Sequence, residues 1–203
     1  MEIRVARLPE SQIEDAASLL ARAFHDQPFE RFFEPDAERR MRLLREVFLR
    51  LVRYCFACGE PYVTGDELAG VALWMPPHAT HMTPEQEREF GLDRLHEIFG
   101  ETAFARSRLL LDLLNQRHER DMKEPHWYLP ILGVDPSRQG TGVGGALLRA
   151  GFARADEGRL PCYLDTAKPS NVSFYERHGF KVLTQGVEPV SALPYWTFRR
   201  DRS

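Results

Sequence analysis

Gln139-Gly140-Thr141-Gly142-Val143-Gly144 stands between an apolar strand and an apolar helix. Ahead of it, Trp127-Tyr128-Leu129-Pro130-Ile131-Leu132-Gly133-Val134 has the β-branched and aromatic content of a strand. Behind it, Val143-Gly144-Gly145-Ala146-Leu147-Leu148-Arg149-Ala150 has helical apolar spacing. Glycines permit positive φ and close approach of a ligand to the backbone, while the unpaired N–H groups of a first helical turn and the helix dipole favour negative charge. The stretch therefore reads as an anion cradle able to wrap a pyrophosphate.

Moving outward, Glu2 to Leu8 alternates like a first strand, and Ser11 to Phe24 places Ile13, Ala16, Ala17, Leu20 and Phe24 on one helical face. Residues 27–36 read as an aromatic loop, and Met41, Leu44, Phe48, Leu51 and Val52 mark a second helix. Two strands, 61–64 and 68–74, form a hairpin across Gly65-Asp66-Glu67 and stop at Pro76-Pro77. Thr83-Pro84-Glu85-Gln86 predicts a capping threonine with proline at the first helical position, opening helical sequence that runs to about Lys123. Beyond the cradle come a strand at 162–166, a short helix at 170–178 and closing strands at 180–187 and 195–199.

The chain has 203 residues, 43% of them hydrophobic, so it can bury roughly 70% of its unfolded surface as one compact unit over 1–203. Its formal charge of −3 recommends no nucleic-acid partner. No apolar run approaches the roughly 20 residues of a membrane span, and Met1-Glu2-Ile3-Arg4-Val5 lacks the apolar centre of a signal peptide, so no membrane attachment and a cytoplasmic location are expected. Cys55 and Cys58 form a lone C-x-x-C without a second ligand pair, so no metal is expected.

Gly140, Gly142 and Gly145 also satisfy G-x-G-x-x-G, with Asp165 20 residues beyond Gly145, as a dinucleotide site would have. Against that, Asp135-Pro136-Ser137-Arg138-Gln139 separates strand from glycines, and a unit begun at 126 leaves about 75 residues, too few for two βαβ halves.

Gln139, Gly142 and Gly144 instead fit Gln/Arg-x-x-Gly-x-Gly/Ala, and Asn171-Val172-Ser173-Phe174-Tyr175-Glu176-Arg177-His178-Gly179-Phe180 fits Asn-x-x-(aromatic)-Tyr-Glu-(basic)-x-Gly-Phe. In both blocks the chain resembles the GCN5-related N-acetyltransferases (GNAT), over about residues 126–187. Trp127-Tyr128-Leu129, Leu160-Pro161-Cys162-Tyr163-Leu164 and the Phe174 block look most like the puromycin N-acetyltransferase-like branch, which acetylates small amines.

The resemblance implies an α/β (α+β) fold: a mixed, mostly antiparallel sheet of about seven strands, its central strands splayed and flanked by helices. Residues 126–187 would form the cofactor-binding core, and 83–123 a helical insertion serving as lid or dimer surface, in a monomer or homodimer. The implied cofactor is acetyl-CoA. Backbone N–H groups across Gln139, Gly140, Thr141, Gly142, Val143, Gly144, Gly145 and Ala146 would hold its pyrophosphate, with the Thr141 hydroxyl and Arg138 nearby. Strand edges at Leu132 and Val134 would pair with its amide arm like an added strand, and Pro130 fits an interrupted ladder there or simply bends the strand. Asn171 would bond the arm or cap its helix.

The resemblance assigns Tyr175 as proton donor to the leaving thiolate. Tyr128 occupies the strand position where histone-acetylating members carry a glutamate, so His126 is a candidate base; a water chain, or binding of an already neutral amine, would serve as well. Phe29 and Phe33, beside Asp26, Glu30, Glu34 and Asp36, suit an apolar cation or else pack the first helices, and Trp74 and Tyr128 would add walls. The function expected is direct acetyl transfer to a primary amine of a small molecule. The alternatives are acetylation of a protein N-terminus or lysine, and an acyl-CoA-binding sensor without turnover.

Overall fold

A computed structural model describes residues 3–65 and 67–202. Glu2, in the expected first strand, and Asp66, in the expected hairpin turn, lie outside the described residues. The elements run β1 (Val5–Arg7), α1 (Ile13–Phe24), α2 (Pro28–Phe33), α3 (Ala37–Cys58), β2 (Glu60–Thr64), β3 (Gly70–Met75), α4 (Pro84–Glu89), α5 (His96–Phe99), α6 (Glu101–Asp121), β4 (Trp127–Val134), α7 (Val143–Glu157), β5 (Cys162–Thr166), α8 (Val172–Arg177), β6 (Lys181–Val187) and β7 (Pro194–Arg200). The strands make one mixed seven-stranded sheet in the order β1-β2-β3-β4-β5-β7-β6. Every pairing is antiparallel except β4 with β5.

The central strand β3 is buried along its whole length because both faces are covered. Val71, Leu73 and Met75 enter a core with α1 and α3, while Ala72 and Trp74 point the other way into a core with α7, as the period of two requires. The Trp74 indole packs on α7 at Gly151, where a Cβ would come within 2.1 Å of its ring. Among the described residues, no helix is long and apolar enough to cross a membrane.

Two local expectations meet different outcomes. Thr83 and Gln86 form the full reciprocal capping box with Pro84 at the first helical position, satisfying donors that a helix start otherwise leaves bare. Residues 27–36, expected as a loop, contain α2: Pro28 pre-sets a helical φ, and six residues suffice to turn Glu30 and Phe33 inward.

β4 is interrupted as its proline suggested. Leu73 pairs with Ile131 and Met75 with Tyr128, so Leu129 and Pro130 together oppose Trp74 alone. That is a bulge, where a missing N–H breaks no ladder bond. Gly151→Ala should destabilise the fold by about 1–3 kcal/mol through overpacking against Trp74. Urea denaturation checks this, and Trp74→Phe in the same chain should recover part of the loss.

Candidate active site

β4 and β5 pair only at Trp127 with Cys162 and Tyr128 with Tyr163. Beyond Tyr128 the two parallel strands part, so the β5-facing edge of β4 from Leu129 onward has no strand partner. A cavity of about 1090 Å³ opens in the gap, reaching from the glycine turn past Tyr175 to α2 and α6.

Gly142 adopts φ 89°, the left-handed region that disfavours side chains, and caps α7 without any side-chain bond. The first amide to bond within the helix is Ala146, to the Gly142 carbonyl at 3.1 Å. The amides of Val143, Gly144 and Gly145 are therefore the first-turn donors left for a ligand. Ala146, expected among them, is corrected: its N–H is spent in the helix and it does not line the cavity.

The polar side chains of the turn brace it. Gln139 Nε2 donates to the Val134 carbonyl at 3.3 Å, and Thr141 Oγ1 donates to the Arg138 carbonyl at 2.6 Å. Arg138 pairs with Glu67 at 2.5 Å. Arg149, exposed on α7 and lining the cavity, supplies a cation that sequence reasoning missed; its only signal was its position four residues after Gly145 on a helix. Asn171 reaches the cavity with its amide donating to Thr166 Oγ1 at 3.1 Å, and it makes no side-chain cap to α8.

Tyr175 lies deep in the gap, 7% exposed, between Phe174, Phe180 and Phe198. Burial, reinforced by the nearby Asp165 charge, pushes its phenol above the ordinary range, so it keeps its proton at neutral pH. Asp165, next to last in β5, lines the same cavity. Burial raises its carboxyl to about 6, against the lowering effects of Arg117 and of the Tyr128 hydroxyl, which donates to Oδ1 at 3.3 Å. Arg117, from α6, stacks on the Tyr195 ring at 4.2 Å and lines the cavity. Sequence reasoning met Asp165 only through its spacing of 20 residues from Gly145 in a dinucleotide-type pattern, because its meeting with Tyr128 and Arg117 depends on tertiary contacts.

Two candidates fall elsewhere. His126, expected as a base, does not line the cavity: its Nδ1 donates to the Glu124 carbonyl at 2.7 Å, and its Nε2 lies 2.6 Å from His118 Nε2. A carbonyl only accepts, so a neutral His126 accepts the His118 proton. Burial lowers both rings, His118 to about 3, and His118 stacks on Tyr163 at 4.4 Å. This neutral pair is built into the packing. Trp74, expected as an acceptor wall, is corrected likewise: it is fully buried against α7 and Phe152. Phe29, Phe33, Tyr128, Leu132 and Val134 do line the cavity, as do residues 139–145. Phe33 both packs on Phe99, centroids 5.7 Å apart, and faces the cavity.

Among the described residues no group of three or more His, Cys, Asp and Glu side chains could hold a metal ion. Burial pushes the Cys55 thiol up, and that of Cys162 up to about 12, which suits inert core thiols.

Residues 112–182 match the family profile of the acetyltransferase (GNAT) domain. An uncharacterised N-acetyltransferase of Schizosaccharomyces pombe is 29% identical over 180 residues, covering 86% of this chain and 72% of that one. A mycothiol acetyltransferase of Kineococcus radiotolerans is 37% identical over 141 residues, 65% of this chain and 45% of its own length, so the chain spans less than half of that relative. A solved structure from Corynebacterium glutamicum, described as histone acetyltransferase and related acetyltransferase, is 27% identical with a TM-score of 0.74, covering 100% of this chain and 98% of that one. The seven-stranded mixed sheet with its helices is thus the GNAT acetyltransferase fold, within which residues 112–182 match the model of the GNAT domain.

A carboxyl raised in the native state stabilises most below its unfolded pKa, and that contribution is lost as pH rises through the native value. Asp165→Asn should therefore gain stability over the natural chain between about pH 4 and 7, by up to about 3 kcal/mol. Paired denaturation curves across that range check it.

Proposed function

We propose that the chain is a single acetyltransferase domain that moves an acetyl group from acetyl-CoA directly to a primary amine of a small molecule. One observation carries this reading: the free first-turn amides of α7, the unpaired edge of β4, and the Tyr175 and Asp165 side chains all face one cavity. The relatives named as acetyltransferases support the reaction class. The aromatic wall at Phe29 and Phe33 supports a small acceptor over a peptide, in keeping with the puromycin N-acetyltransferase-like branch.

The residues fit the cofactor. Amides of Val143, Gly144 and Gly145 would hold the pyrophosphate, with Arg149 adding charge. The bare edge of β4 at Leu132 and Val134 would align the amide-bearing arm, though the Val134 carbonyl already accepts from Gln139. When bound, acetyl-CoA supplies an activated thioester.

Asp165, ionised above about pH 6, is placed to take the proton of the incoming amine, directly or through water, in the role first sought from His126. Tyr175, protonated across the physiological range, is placed to give one to the departing sulfur. Tyr128 and Arg117 hold Asp165 in its ionisable range.

Purified protein with acetyl-CoA and a panel of primary amines should release CoA thiol. Tyr175→Phe should slow release about 10²-fold or more with little change in CoA affinity. The natural chain should show a rising limb of kcat/KM near pH 6 that Asp165→Asn abolishes. CoA binding without thiol release for any amine would overturn the enzyme reading in favour of a sensor.

A further inference from the structure

One buried ionisable group takes no part in that chemistry. Glu30, on α2, is 8% exposed, lines the cavity, and has no hydrogen-bond partner at Oε2. Its surroundings are aromatic: Phe33, which turns inward beside it, packs on Phe99, and Phe29 lies 6.5 Å from Phe33 between ring centroids. An unsatisfied buried polar atom costs native stability, a penalty that a ligand partner would remove.

The protein's own cations do not supply that partner. Arg40 of α3 is the charge nearest in effect. Its guanidinium is committed to the carbonyls of His25, Glu34 and Pro35 at 2.6, 2.8 and 2.9 Å, and to Asp26 at 3.5 Å. From α6, which also packs on α2, Ala103 and Leu110 are buried, and the cavity-lining charge Arg117 acts on Asp165 and Tyr195. Glu30 stands on α2 and Asp165 on β5, so the two carboxyls line one cavity from different elements.

We propose that Glu30 binds a cationic group at the far end of the acceptor, so that the acceptor is an amine with an apolar body and a second positive charge. This rests on the acetyltransferase reading above. Aromatic faces beside the carboxyl add attraction for an ammonium. Burial raises the Glu30 carboxyl to about 8, so at pH 7 the empty site holds a neutral acid. Ammonium binding breaks the carboxyl O–H bond, sends that proton to solvent and leaves a carboxylate–ammonium pair, conserving charge.

The test uses α,ω-diaminoalkanes of increasing length and monoamines of matched length as acceptors. At one length or more, the diamine should exceed its monoamine in kcat/KM by about tenfold or more, the worth of one desolvated ion pair. Glu30→Gln should bring that ratio to about one through the diamine KM, with kcat little changed. Glu30→Met should do the same if the amide perturbs the fold. Thiol release with no diamine preference at any length, or a preference that survives both substitutions, overturns the proposal and leaves the enzyme reading intact. If no amine is acetylated, calorimetry with 1,8-diaminooctane in buffers of different ionisation enthalpy decides separately. Binding with about one proton released, lost in Glu30→Gln, upholds the cation site, whereas no binding overturns it.

Discussion

The parting of β4 from β5 after two paired residues is the constraint on which everything else rests. A continuous parallel pairing would seal the sheet and leave no cavity between its halves. Here the neighbours take up the cost of parting. β3 pairs along the far edge of β4, the bulge at Leu129 and Pro130 turns the strand locally, and β7 holds β5 along Cys162 to Thr166. The unpaired edge is thus rigid without being satisfied, the state in which backbone groups can recognise an extended ligand.

The gap also arranges charge. The helix-start amides and Arg149 make a setting for anions; the same cavity is lined by carboxyls that burial has pushed upward, Asp165 from β5 and Glu30 from α2. Such raised carboxyls cost native stability above their pKa, and strain of that kind concentrates at working sites. Elsewhere the ionisable groups pair conventionally, as Arg22 with Asp135 at 2.8 Å and Arg200 with Asp156 at 2.9 Å.

Much of this was legible in the sequence, because short-range chemistry dictates it. The strand-glycine-helix order, the Thr83 capping box and the place of Pro130 follow from φ preferences and unpaired donors. Positions 139 to 145 could be read as one unit because a helix start is a local event. What escaped depends on long-range meeting. His126 sits one residue before β4 and its partner, His118, comes from α6; nothing in strand periodicity reveals that the pair closes on itself. Trp74 reads like a pocket wall until Gly151 brings α7 onto it. Asp165 gained its importance only once Tyr128 and Arg117 converged on it, and α2 emerged from apparent loop sequence because one proline and two inward side chains sufficed.

In the proposed function, the gap between β4 and β5 receives coenzyme A, with its diphosphate on the first turn of α7. A titration of isotopically labelled protein with CoA, followed by amide resonances, examines that placement. The largest shifts should fall at Val143, Gly144 and Gly145 and at Leu129 and Ile131 to Val134. Saturable binding that leaves those amides unmoved and perturbs another surface would contradict it.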